Sequence, residues 1–251
     1  MCGRYASTKN PATLAAEFDA VDATEDAIGG PDYNVAPTRN VVAVVQRHPR
    51  DEDGEPDMST TERTLRVMKW GLVPAWAKDA KGGAKMINAR SESAAEKPAF
   101  RTSWTKRRCL MPADGWYEWQ RDGKVKQPYF TTRKDGLSLA MAGLWTVWRD
   151  KEQPDSPPLV TCSVLTMPAV DKLAEIHDRM PVLMAPENWA TWLDPDNADP
   201  SALIAPPSEE FLAALELRPV SQAVNSVKNN GPDLMRPATE QDDSALFDLG
   251  R

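Results

Sequence analysis

The chain reads as a single α+β domain built on a mainly antiparallel, partly closed sheet with short helices around it. Three observations predict this. Strand-like apolar runs outnumber helical patterns, and turn signals recur between them. The runs do not alternate with long helices, which argues against a doubly wound parallel sheet. The 251 residues include 22 prolines, about 9% against an average of roughly 5%, which favours many short elements over a helical bundle.

In chain order, residues 10–28 read as a helix, with Asn10 as its cap and Pro11 in its first turn. Leu14, Phe18 and Val21 lie near one face. Residues 41–46 (VVAVVQ) and 64–70 (TLRVMKW) read as strands. The acidic stretch Asp51–Glu62 lies before the second and reads as part of a long exposed hairpin loop. A short helical stretch falls within 91–106. Residues 108–112 and 115–120 look extended, Arg121-Asp122-Gly123 is a turn, and 127–132 returns. Further strands are expected at 138–148 and 158–166, split by the polar, Pro-rich stretch Asp150–Pro158. Helices are expected at 169–175, 187–193 and 208–215. The acidic tail from Ala238 is expected to fray. No internal repeat or linker is visible, so one domain is placed at 1–237 and a flexible tail at 238–251.

Composition excludes several function classes. No run approaches the ~20 apolar residues of a membrane-spanning helix. The N-terminus lacks the apolar region of a signal peptide, so the cytoplasm is the expected compartment. Three cysteines, Cys2, Cys109 and Cys162, are an odd number at wide spacing, not a disulfide framework. With only His48 and His177, and no CxxC or HExxH, no metal site is expected. The glycine-rich signatures of nucleotide loops are absent, so no cofactor is expected either. The net charge is −7, yet Arg66–Asp135 holds 16 basic and 7 acidic residues, a local +9. The remainder holds 14 basic and 30 acidic residues, or −16. A basic middle in an acidic chain can present a surface for phosphates, or be no more than a solvated face.

Cys2 follows the initiator Met. Loss of Met1 creates a 1,2-aminothiol, whose α-amine has a pKa near ~7.7–8.0 and is partly neutral at pH 7. Such an amine attacks an aldehyde to give an imine, and the neighbouring thiol closes it into a five-membered thiazolidine. The same cysteine can instead serve as a hydrolytic nucleophile with its own amine as base. A Met-Cys start alone is a weak signal.

Other segments make it specific. Met1-Cys2-Gly3-Arg4-Tyr5 is followed by Tyr33-Asn34-Val35-Ala36-Pro37-Thr38 and Trp70-Gly71-Leu72-Val73-Pro74. Next come Ile87-Asn88-Ala89-Arg90-Ser91-Glu92, the run Arg108 to Trp119 (RCLMPADGWYEW), and Ile176-His177-Asp178-Arg179-Met180-Pro181. Six motifs in this order resemble the SRAP family, the SOS-response-associated-peptidase or abasic-site-processing proteins, from residue 2 to about Lys228. The resemblance implies a distorted β-barrel. It also implies a DNA damage response protein that binds single-stranded DNA and captures abasic sites covalently through the mature Cys2. Autoproteolytic and abasic-site lyase activities are associated with the family. The implied partner is single-stranded DNA containing abasic sites, with no metal and no membrane. The protein is expected to be a monomer, cytoplasmic and nucleoid-associated on damaged DNA.

Residue by residue, the resemblance makes Cys2, Asn88, Glu118 and His177 catalytic. Asn88 would hold a sugar hydroxyl or the aldehyde oxygen, although an Asn more commonly bonds a turn backbone. Glu118, between aromatic neighbours, would have a raised pKa and move protons; otherwise it is the polar side of a strand. His177 would assist sugar ring opening. Arg4, Asn34, Pro37, Trp70, Arg90 and Arg179 form the expected DNA-binding set. Within it, Arg4, Arg90 and Arg179 face phosphates, while Pro37 and Trp70 wedge against bases. Trp70 reads equally as a core residue at a strand end, and Arg90 alternatively as a surface ion-pair partner of Glu92 or another acid. Cys109 and Cys162 read as core. The acidic Asp51–Glu62 loop would repel DNA near the groove and is expected to point away. Two other functions remain open: a thiol peptidase or amidase using Cys2, and a non-covalent single-strand-binding module.

Overall fold

The Val41–Val45 run is buried at every position, so this strand has apolar neighbours on both faces and forms the centre of the sheet. A computed structural model describes residues 2–25, 27–122 and 125–238. Its first half comprises β1 (Tyr5–Ser7), α1 (Pro11–Phe18), β2 (Val21–Asp22), β3 (Asp32–Val35), β4 (Asn40–Arg47), β5 (Glu62–Trp70) and β6 (Asn88–Arg90). Then follow α2 (Ser91–Ala94), α3 (Arg101–Lys106), β7 (Arg108–Ala113), β8 (Gly115–Asp122), β9 (Val125–Arg133), β10 (Leu139–Trp148) and β11 (Leu159–Pro168). The last elements are α4 (Asp171–Ile176), β12 (Arg179–Pro181), α5 (Trp189–Leu193), α6 (Glu209–Ala213) and β13 (Leu215–Pro219).

The α+β expectation holds. The larger sheet runs β12-β11-β10-β7-β4-β5-β2, with β6 added to β11. β11 also pairs in parallel with β5 through Thr161–Lys69 and Cys162–Trp70, so the sheet curls back on itself. The seams are thin, since β4 meets β7 at one residue pair, Val44–Leu110. The result is a distorted, incompletely sealed barrel. A second sheet, β13-β9-β8-β1-β3, lies beside it. Cys109 and Cys162 are core residues, both fully buried. Arg108, 3% exposed, is satisfied by carbonyls of Trp104, Trp192, Asp194 and Asn197. It ties α3 and α5 to β7. No described helix is long and apolar enough to cross a membrane.

Three expectations need correction. The helix expected over 10–28 ends at Phe18, because Asp19 takes a left-handed conformation (φ 49°) and its N–H bonds back to the Ala15 carbonyl. Val21 then sits in β2 and is 55% exposed, not on the buried helix face. The helix expected over 208–215, capped by Ser208, stops at Ala213 and yields to β13, which pairs with β9. The expected Gly123 turn and the tail from 239 onward lie outside the described residues, although β8 and β9 do pair as a hairpin. The acidic loop follows the Arg47 end of β4, whereas Asn40 at the other end lies beside the close of β5. Eight strand residues, about 25 Å, separate those ends.

Candidate active site

β1 pairs with β8 at Tyr5–Trp116, and the Arg4 carbonyl accepts the Tyr117 N–H at 2.9 Å. Extending that antiparallel register toward the N-terminus carries Cys2 alongside the Glu118 region of β8. Cys2 is fully buried. Its carbonyl accepts the Asn88 Nδ2–H at 2.8 Å, which fixes the N-terminal strand against β6. Burial, and then the charge of Glu118, push the Cys2 thiol well above its ordinary range, while the Arg4 N–H opposes them. The resting thiol is therefore protonated.

Glu118 is 7% exposed. Burial raises its carboxyl to about 7, the Trp119 N–H opposes this, and the charge of Asp178 adds to it. A carboxyl poised there exchanges protons readily near neutrality. Asp178 reaches this neighbourhood because α4 docks on β8, where the Gln120 side chain donates to the Glu175 carbonyl at 3.1 Å.

His177 follows α4. Its Nδ1 accepts the Arg179 N–H at 2.9 Å and lies 2.8 Å from an Asp178 carboxylate oxygen. The first contact needs a bare Nδ1 and so places the proton of a neutral ring on Nε2. The second is strengthened when the ring is protonated.

β6 lies parallel to β11, with Asn88 opposite Val164 and Arg90 opposite Thr166. Alternation puts Asn88 and Arg90 on one face, with Ala89 buried beneath. The Asn88 Oδ1 is a buried acceptor without a hydrogen-bond partner among the described residues. β12 pairs with the end of β11 and brings Arg179 across. The Arg179 guanidinium forks onto both oxygens of Glu92, at 2.5 and 2.9 Å, and donates to the Thr166 carbonyl at 2.6 Å. Arg179 holds the Glu92 carboxyl below its ordinary value. The Glu92 pairing that was the alternative reading of Arg90 belongs to Arg179, and among the described residues exposed Arg90 makes no ion pair.

The expected DNA-binding set divides. Arg4 donates to the Asn34 Oδ1 at 2.7 Å and the Val224 carbonyl at 2.9 Å, and lies over the Trp119 ring. Asn34, 3% exposed, gives its amide to carbonyls of Val224, Ser226 and Asn229. It tethers the C-terminal segment and orients Arg4, leaving little for a direct DNA contact. Half-buried Pro37 precedes Thr38, whose left-handed backbone (φ 71°) donates to the Trp70 carbonyl at 2.8 Å.

Trp70 is not placed to act as a wedge. It is fully buried, its indole N–H bonds the Ile87 carbonyl at 2.9 Å, and Tyr5 packs edge-on against it at 5.3 Å. An exposed aromatic exists six residues later. Trp76 is 65% exposed, on the segment joining β5 to β6. That segment is drawn tight where Gly71 (φ 128°) meets Gly83; a Cβ on either would fall within 2.7 Å of the other's carbonyl oxygen. The sequence signal for Trp76 is its place in a Pro- and Gly-containing loop, whereas Trp70 closes an apolar strand. No local pattern in the sequence marks Glu92 as the partner of Arg179. Among the described residues no cluster of three His, Cys, Asp or Glu side chains could hold a metal.

Known proteins resemble this chain over most of its length. Residues 1–227 match the family model "SOS response associated peptidase (SRAP)". The chain is 38% identical over 239 residues to the abasic site processing protein YoqW of Bacillus subtilis, covering 94% of this chain and 99% of that protein. It is 32% identical over 247 residues to the abasic site processing protein YedK of Escherichia coli, covering 94% and 100%. A crystal structure of a protein from Bacteroides thetaiotaomicron shares the fold, with a TM-score of 0.76 at 24% identity over 95% of this chain and all of that one. On its sequence and its fold, the chain belongs to the SRAP family.

Proposed function

We propose that this protein processes abasic sites in single-stranded DNA by covalent capture at the mature Cys2. The observation that carries the reading is the convergence of buried Cys2, Asn88 and a Glu118 carboxyl raised to about 7. Removal of Met1 frees the α-amine. His177 assists opening of the cyclic sugar to its C1′ aldehyde, and the Asn88 Oδ1 holds a sugar hydroxyl. The amine adds to the aldehyde carbon. Protonated Glu118 gives a proton to the carbinolamine oxygen, water leaves, and an imine forms. The Cys2 sulfur then bonds the same carbon as its proton passes to the nitrogen, closing the thiazolidine. Closure removes the C=N bond that would draw electrons during strand-cleaving β-elimination, so capture shields the strand.

Arg90 and Arg4 contact flanking phosphates, and Trp76 takes the base-stacking role. Lyase activity appears in this scheme only when ring closure is slow. The raised Cys2 thiol favours an amine-first order over the resting thiolate that a thiol peptidase would use. The test is a denaturing gel of Met1-processed protein with a strand carrying one abasic site. A heat-stable shifted band is expected for wild type, none for an intact strand, and none for Cys2→Ala. No band from processed wild type would refute the reading.

A further inference from the structure

At the Arg47 end of β4, far along the strand from Asn40, five arginines gather around a single lining carboxylate, Glu62. Arg47 and Arg107 lie over the Trp145 ring, at 5.3 and 5.5 Å from its centre. Arg47, Arg50, Arg107 and Arg149 line a cleft of about 550 Å³ together with Ala75 and Val160. Burial first, and then the charges of Arg50, Arg107 and Arg66, disfavour the charged form of Arg47, so Arg66 stands near the group as well. None of the five takes part in an ion pair among the described residues. Glu62 is opposite Arg47 in the β4–β5 ladder, yet does not pair with it. Five like charges against one lining carboxylate leave the cleft net positive, which favours an anionic ligand.

The acidic loop beside the cluster meets it through a backbone carbonyl, Arg50 donating to Gly54, while two of its carboxylates bond within the turn. Its Asp51 carboxylate caps the Glu55 N–H, and Asp57 bonds Ser59 and Thr60, so these groups serve the turn itself. Two of the cleft's lining residues relate it to the candidate active site. Ala75 adjoins exposed Trp76. Val160 lies four residues along β11 from Val164, the partner of Asn88, about 13 Å away. That distance corresponds to a few phosphates along a strand.

We propose that this arginine cleft is a second contact for the DNA backbone, gripping the single strand a few nucleotides beyond the captured site and past Trp76. It rests on the reading of the protein as a binder of single strands. The test uses the full processed chain and a labelled, undamaged 20-nucleotide oligothymidine, so capture does not contribute. Anisotropy titrations across salt compare wild type with Arg107→Gln/Arg149→Gln and with Arg149→Gln alone, whose exposed side chain makes folding of that variant straightforward. Each phosphate contact on a single strand contributes about 0.7 to the log–log salt slope. The double variant should lose about 1.4 from the slope and bind about 25-fold more weakly at 0.1 M salt; Arg149→Gln should lose about 0.7 and bind about fivefold more weakly. Unchanged slopes and affinities in both folded variants would overturn the proposal. Failure of wild type to crosslink an abasic strand would refute the capture reading and leave this comparison standing.

Discussion

Replacing Glu118 by Gln removes a charge that the fold holds against its solvation, and the account fixes the size and sign of the effect. The carboxyl rises from an ordinary 4.5 to about 7, chiefly through burial. A shift of that size corresponds to about 3 kcal/mol. Below pH 4.5 the group is protonated in both folded and unfolded chains, and its contribution is fully present. Between 4.5 and 7 the unfolded chain releases the proton while the folded one keeps it, so stability is lost as pH rises. Above 7 the loss is complete. Glutamine mimics the neutral acid at every pH. Glu118→Gln should therefore match wild type near pH 4 and exceed it by about 3 kcal/mol at pH 8. Urea denaturation of both proteins at the two pH values reads this difference, and comparison with wild type cancels other titrations. The same variant should crosslink slowly and lose the pH dependence that wild type shows near 7. A variant equal to or less stable than wild type at pH 8 would refute the idea that Glu118 is kept as a poised acid.

Asn88→Ala should slow crosslinking about tenfold, since it removes the hydrogen bond to the Cys2 carbonyl, worth about 1 kcal/mol, and the acceptor for the sugar; single-turnover gel assays measure it. Trp70→Ala should lower stability by about 3–5 kcal/mol through the cavity it leaves. Trp76→Ala should leave stability within about 0.5 kcal/mol and weaken single-strand binding by about 1–3 kcal/mol; melting and anisotropy separate the two. Glu92→Gln should release Arg179 from its carboxylate fork and tighten binding of an undamaged oligonucleotide at low salt; unchanged affinity would show that Arg179 does not reach phosphate.

The sequence carried most of the strands because their apolar runs are short and bounded by turn residues. Val41–Val45 and the 138–148 run appear where expected. What it did not carry depends on tertiary partners. Nothing local in Ala20 to Asp22 distinguishes a continuing helix from β2; the left-handed Asp19 and pairing with β5 decide it. β13 forms because β9 offers an edge. At the site, the motifs carry Cys2, Asn88 and Glu118, and these meet in space. Trp70 and Trp76 differ in burial, and no one-dimensional pattern ranks one above the other; the barrel seam at Cys162 takes Trp70 inside. The pairing of Arg179 with Glu92 joins residues 87 apart in sequence, a contact only the fold creates.

The central claim is that the α-amine and thiol of Cys2 together hold the sugar carbon. Intact mass spectrometry of the complex between Met1-processed protein and an abasic strand, with and without borohydride, tests it most directly. The account predicts an adduct weighing the two components less one water, heat-stable without reductant and not gaining the two hydrogens of a reduced imine. Cys2→Ala should yield an adduct only when borohydride traps the imine. An equally stable, unreduced adduct from Cys2→Ala, or none from wild type, would contradict the account.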